Sequence, residues 1–135
     1  MAFVSWSPSY SVKVEKCDAD HKKLFEILNK LHEAMSAGKG NGVMAKVVKE
    51  LSDYTKFHFG AEEKMLEQTH YPQLAEHLAQ HKIYVKKVEQ FQKDVERGMI
   101  GKSVEVLNFL TDWLTSHIKK VDQQYSAHLN AAGIS

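Results

Sequence analysis

Groups of metal-ligand type recur along this chain: His21, then His58 and Glu62, then His77 and His81, then His117 and Asp122. Imidazole nitrogen combined with carboxylate oxygen suits iron, zinc, copper or manganese. This many ligands exceeds what one transition metal accepts and suits two. A carboxylate has two oxygens and bridges naturally, so Glu62 and Asp122 read as bridges and the histidines as terminal ligands. Their odd number makes the pair asymmetric. One metal takes three histidines and the other two, which leaves an open position where a small ligand can bind. The only cysteine is Cys17, so neither an intrachain disulfide nor a thiolate zinc site can form. With eight histidines in 135 residues, histidine is where function is to be sought.

The spacings put these groups on helices. His58 and Glu62, and likewise His77 and His81, stand at i, i+4 and share one helical face. Any one such pair is common by chance. Their position on the apolar stripes carries more weight. Prolines occur only at 8 and 72, and glycines cluster at 38–42 and 97–101. Between these breaks the hydrophobic period is helical. A first helix is expected from Asp18, an N-cap type, with Leu24, Leu28, Leu31 and Met35 inward. A second runs over 43–67 with Met44, Val47, Leu51, Tyr54 and Met65 inward. Pro72 suits the first turn of a third, which reaches Arg97 through Leu78, Tyr84, Val85, Val88, Phe91 and Val95. A fourth spans 102–130 through Leu107, Leu110, Leu114, Val121 and Leu129. The ligand-type residues continue these stripes in place of leucines, and burying them is costly unless they are paired or bind metal.

Four helices with short connections imply an all-α, up-down-up-down four-helix bundle. Residues 1–17 read as an N-terminal arm, laid on the bundle by Trp6, Tyr10, Val12 and Val14. The whole of 1–135 reads as one domain, with the bundle over 18–130. In this topology the start of an odd helix and the end of an even one share an end of the bundle. All the ligand groups then fall in one layer. Asp122 fits least well. It stands five residues after His117, about 140° round an ideal helix, so the two must approach the site from either side or the helix must carry a π-bulge.

Bulk properties exclude other classes. A net charge of +1 gives no reason to expect nucleic acid or an anionic membrane as partner. The N-terminus lacks the pattern of a signal peptide, and no apolar run is long enough to cross a bilayer. The expected location is the cytoplasm.

Taken together, His21, His58-Phe59-x-x-Glu62-Glu63, Tyr71-Pro72 with His77-x-x-x-His81, and His117-Ile118-x-x-x-Asp122-x-x-Tyr125 resemble the hemerythrin family in its single-domain bacterial form. The resemblance runs from Trp6 to about Leu129. It implies a non-haem di-iron centre (Fe2+/Fe3+) that binds O2 reversibly. It assigns His77, His81 and His117 to one iron and His21 and His58 to the other. Glu62 and Asp122 bridge them, together with an oxo or hydroxo group. O2 is expected at the two-histidine iron, under an apolar pocket for which Leu24, Leu28, Trp113 and Leu114 are the candidates. Two residues depart from the family pattern: Cys17 stands where an aliphatic residue is usual and Asp20 where glutamine is usual. Neither is expected to touch a ligand, but Asp20 is expected to alter the hydrogen bonding around the ligands or the local charge.

The remaining candidates read as ordinary. His32, His70 and His128 are expected on surface or loops, Glu63 in solvent about 100° from the ligand face, and Cys17 as a packed thiol. The function expected is O2 storage, transport or delivery, without enzymatic turnover and with any protein acceptor unknown. A sensor of O2, nitric oxide or iron using the same centre is the alternative. A sensor is usually fused to an output domain, and the chain ends at Ser135, which favours the carrier. A di-iron oxidase ranks lower, because the inward faces beside the ligands offer mostly Leu, Phe and Trp.

Overall fold

The computed structural model describes residues 3–38, 41–99, 101 and 103–135, with the backbone alone at residue 41. Among the described residues there are five α-helices: α1 (Glu15–Ser36), α2 (Asn41–Gln68), α3 (Leu74–Glu96), α4 (Ser103–Lys120) and a short α5 (Ser126–Ala131). The first four make the bundle. α1 packs on α2 and α4, and α3 packs on the same two from the other side. Among the described residues no helix is long and apolar enough to cross a membrane.

Helix ends differ from expectation in informative ways. α1 begins at Glu15 rather than Asp18. The Asp18 carboxylate does not cap it; it accepts Ser11 Oγ–H at 2.7 Å and Val12 N–H at 2.8 Å from the arm. The arm thereby ties itself to the helix that follows it, and Val12 and Val14 enter the core. α2 ends at Gln68, and His70, two residues on, is held in the left-handed region at φ 57°. There Tyr71 N–H reaches Leu66 O at 2.9 Å and satisfies a terminal carbonyl. Pro72 lies two residues ahead of α3, outside its first turn. Gly98, at φ 76°, ends the α3 segment in the way that favours glycine. Lys39 and Gly40 of the first glycine-rich connection lie outside the described residues, as does Lys102, the expected start of the fourth helix.

The expected stripes hold on α1, with Leu24, Leu28 and Leu31 fully buried, and on α4, with Leu107, Leu110 and Leu114. On α2 the buried face is rotated by about one residue. Val48, Leu51, Ser52, Thr55, His58, Phe59, Glu62 and Leu66 face inward, while Val47, Tyr54 and Met65 lie at its flank. Leu78 and Val85 on α3 are likewise only partly buried. The largest departure is at the expected fourth helix. It stops at Lys120, a 3-10 turn covers Asp122–Tyr125, and α5 resumes at Ser126. This break settles the phase problem at Asp122 by neither a π-bulge nor a two-sided approach from one helix.

Candidate metal centre

All the expected ligand residues meet in one layer. His21, His58, Glu62, His77, His81, His117 and Asp122 are each 0–3% exposed. α1 supplies His21, α2 His58 and Glu62, α3 His77 and His81, and α4 His117. The 3-10 turn supplies Asp122.

The two carboxylates divide the histidines between them. Glu62 turns Oε1 toward His77 Nε2 (2.6 Å) and His81 Nε2 (3.1 Å), and Oε2 toward His58 Nε2 (3.2 Å) and His21 Nε2 (3.9 Å). Asp122 turns Oδ1 toward His117 Nε2 (2.9 Å) and His77 Nε2 (3.2 Å), and Oδ2 toward His21 Nε2 (3.3 Å). Two sets of ligand atoms result. Glu62, His77, His81, His117 and Asp122 form one, and His21, His58 and Glu62 the other, with atoms in each within 4.8 Å of one another.

The outer nitrogens of three histidines are held by acceptors. His58 Nδ1 meets Asp20 Oδ2 at 2.9 Å, His81 Nδ1 meets Glu63 Oε2 at 2.8 Å, and His117 Nδ1 meets Gln80 Oε1 at 2.9 Å. An acceptor at Nδ1 favours a proton there, so a ring that gives up its other proton to a metal presents the Nε2 lone pair to the layer. Tyr125 O–H donates to Glu62 Oε2 at 2.8 Å, and Tyr54 O–H to Asp20 Oδ1 at 3.0 Å. Phe59 stacks flat on His81, centroids 3.7 Å apart, and Trp113 stacks on His117 at 4.5 Å.

This donor set fits metal. The Nε2 atoms of His21, His58, His81 and His117 are buried and meet no hydrogen-bond partner among the described residues, though carboxylate oxygens lie near. Buried polar groups are ordinarily satisfied, so several convergent exceptions in one layer call for ions. The titration behaviour of the protein's own groups agrees. Burial opposes charging His58, but the Glu62 charge and the hydrogen bond to Asp20 outweigh it and lift its pKa to about 10. His77 is opposed by burial in the same way and lifted to about 9 by hydrogen bonds to Asp122 and Glu62. Burial would raise Glu62, yet the surrounding histidines hold it well below the carboxylate range. Asp122 is lowered too, against burial and the Glu62 charge, chiefly by His117. Cations at this spot are strongly favoured, whether protons or metals.

A family model described as the hemerythrin HHE cation binding domain matches residues 12–129. The chain belongs to the hemerythrin family. It is 32% identical over 134 residues to the bacteriohemerythrin of Stenotrophomonas maltophilia, covering 96% of this chain and 86% of that one. Against the bacteriohemerythrin of Clostridium acetobutylicum it is 34% identical over 125 residues, covering 89% and 96%. Myohemerythrin-1 of Phascolopsis gouldii is 30% identical over 125 residues, with 92% of each covered. A crystal structure of wild-type hemerythrin matches with a TM-score of 0.87 at 32% identity, covering 95% of this chain and 98% of that one. The resemblance read from the sequence and the bundle architecture both stand.

Several side chains around the hemerythrin layer are not legible in the sequence. Asp20 does touch a ligand, contrary to expectation, because α1 packs so that the residue before His21 faces His58 on α2. Glu63 is not simply solvated. Its carboxylate reaches across to α3 and holds His81, which an offset of about 100° permits because outer partners surround the ligand face. Sequence reasoning misses Gln80 as well, whose only signal is adjacency to a ligand in sequence, while Phe59 enters it only as part of the family motif and not as a stacking partner of His81. Of the pocket candidates, Leu24, Leu28 and Leu114 are buried core residues, while Trp113 is partly exposed and lies flat on His117. Cys17 is a packed thiol, its pKa pushed to about 12, first by burial and then by the Glu62 charge.

Proposed function

We propose that this chain is a reversible O2-binding protein whose di-iron centre is held by His21, His58, Glu62, His77, His81, His117 and Asp122. One observation carries the ligand assignment: both Glu62 and Asp122 split their oxygens between a three-histidine side and a two-histidine side. His77, His81 and His117 belong to the first side, and His21 and His58 to the second. When bound, the two irons supply the electrons and the open coordination position by which O2 is taken up and released. The protein's own groups do the rest. Asp20, Glu63 and Gln80 fix the ring orientation of three ligands. Tyr125 fixes the Glu62 carboxylate. Leu24, Leu28 and Leu114 supply apolar surface that keeps water and protons away from the bound molecule.

We read the arm and bundle as one domain, acting as a binder rather than an enzyme. The apolar character of those three leucines supports that reading, since an oxidase needs a proton donor and a substrate cavity at the same place. A carrier or store of O2 in the cytoplasm is the role that fits best. The experiment is anaerobic loading with ferrous iron, admission of O2 and then its removal, followed in the visible range. A colour that appears with O2 and disappears on degassing supports the proposal. A colour that never reverses moves the assignment to an oxidase or redox sensor.

A further inference from the structure

The carboxylate of Asp122 owes its place to a helix break that its local sequence does not encode. From Ser103 to Ala132 there is neither proline nor glycine, the residues that ordinarily stop a helix. Read alone, this stretch continues as one helix to about Asn130. On such a helix Asp122 would sit about 140° from His117 and off the metal layer. In the structure α4 instead ends at Lys120, with Val121 at φ −113°, and a 3-10 turn carries Asp122 inward. Some other part of the molecule must hold that turn.

The arm is placed to do so. Gln123, next to Asp122, donates from Nε2 to Ser9 O at 2.8 Å and Ser11 O at 3.3 Å. Ser126 Oγ–H donates to Val12 O at 2.6 Å, and Asn130 Nδ2–H to Lys13 O at 3.0 Å. Lys119, just before the break, sits over the Tyr10 ring at 4.5 Å. The other edge of the same arm segment is fixed to α1 through Asp18, three residues before His21. Lys13 adopts φ 59° to make these contacts, a conformation that a side chain of this kind seldom takes. Two other bonds help, one local and one to α2: Gln124 Nε2–H reaches Lys120 O at 2.6 Å, and Tyr125 O–H holds Glu62 from the inner side. Neither ties the turn to another element on its outer face, where the arm makes its contacts.

We propose that the arm segment Ser9–Lys13, through Gln123 and Ser126, is a positioning element for Asp122. It splints the turn bearing that carboxylate to the start of α1, which bears His21. Arm docking and metal binding are therefore coupled, and by linkage each strengthens the other. The inference rests on the reading of Asp122 as a metal ligand. It adds that a segment supplying no ligand sets the affinity of the centre.

The test uses the full chain with Co2+ as probe, titrated and followed by its visible absorption. The wild type is expected to take up two Co2+. A Gln123→Met/Ser126→Ala double variant is expected to keep its helical circular dichroism when metal-free. It should bind the weaker of the two ions about tenfold or more less tightly, with altered Co2+ absorption, as losses of outer support do. Gln123→Arg, which keeps N–H donors, should restore most of the affinity. A second readout needs no variant: trypsin cleavage after Lys13 in the wild type should slow several-fold when Co2+ is bound. Unchanged Co2+ affinity and spectrum in the double variant would overturn the proposal. So would cleavage at Lys13 that ignores Co2+, which decides the matter alone if the variant does not fold. Failure of the wild type to bind two Co2+ would instead overturn the underlying two-metal reading.

Discussion

Stripping the metals with a chelator leaves Glu62 and Asp122 buried with only imidazoles to balance them. At neutral pH the metal-free protein solves this with protons: His58, lifted to about 10, and His77, lifted to about 9, stay charged beside the two carboxylates. Both folded values lie above the unfolded one. Their stabilisation is therefore complete below about pH 6.5 and is lost as pH rises through 9 to 10. For His58, about 10 folded against about 6.5 unfolded corresponds to roughly 5 kcal/mol. His77 draws on the same two carboxylates, so its contribution overlaps and the expected total stays near about 5 kcal/mol. That is a large part of the roughly 5–15 kcal/mol that holds a domain folded. It should lower the melting temperature of the metal-free protein by about 15 °C or more between pH 6.5 and 10. In the loaded protein metals replace those protons, so its melting temperature should change far less over the same range. The assay is thermal unfolding by circular dichroism across pH, with and without metal. A metal-free profile that is flat, or that rises toward pH 10, would refute this account of the layer's charge balance.

Other outcomes follow from single contacts. Glu62→Gln replaces one bridging oxygen by an N–H2 group, so the variant should hold one metal per chain where the wild type holds two, by metal analysis after desalting. Asp20→Asn removes the charge that holds His58 Nδ1, and should weaken the two-histidine site about tenfold while leaving the other nearly unchanged, measured by chelator competition. Tyr84 is fully buried and its hydroxyl meets no partner among the described residues. Tyr84→Phe should therefore be neutral or stabilising by about 1 kcal/mol in urea unfolding, and a clear destabilisation would show that the hydroxyl has a partner.

The sequence is most informative where it breaks its own pattern. His21, His58, Glu62, His77, His81 and His117 occupy stripe positions where leucine would be expected, and the cost of burying them there points to a metal on residue types and spacing alone. Bundle topology then places them at one end without knowledge of helix packing angles. Asp122 is legible only through family resemblance, because helical phase argues against it and the break that rescues it is held by a segment more than a hundred residues away. The supports at Glu63 and Gln80, and the partner of Asp20, are illegible for a related reason. Each acts on a histidine of another helix, and which side chain meets which ring depends on interhelical register. The one-residue rotation of the buried face of α2 has a like origin. Val47 and Val48 are equally apolar, and only packing against α1 and α3 chooses between them.

The most direct test of the central claim is a crystal structure of the iron-loaded protein with anomalous scattering measured at the iron edge. Two peaks about 3.5 Å apart are expected between the Glu62 and Asp122 carboxylates. His77, His81 and His117 should lie on one, and His21 and His58 on the other. A single peak, or a second one away from His21 and His58, would contradict it.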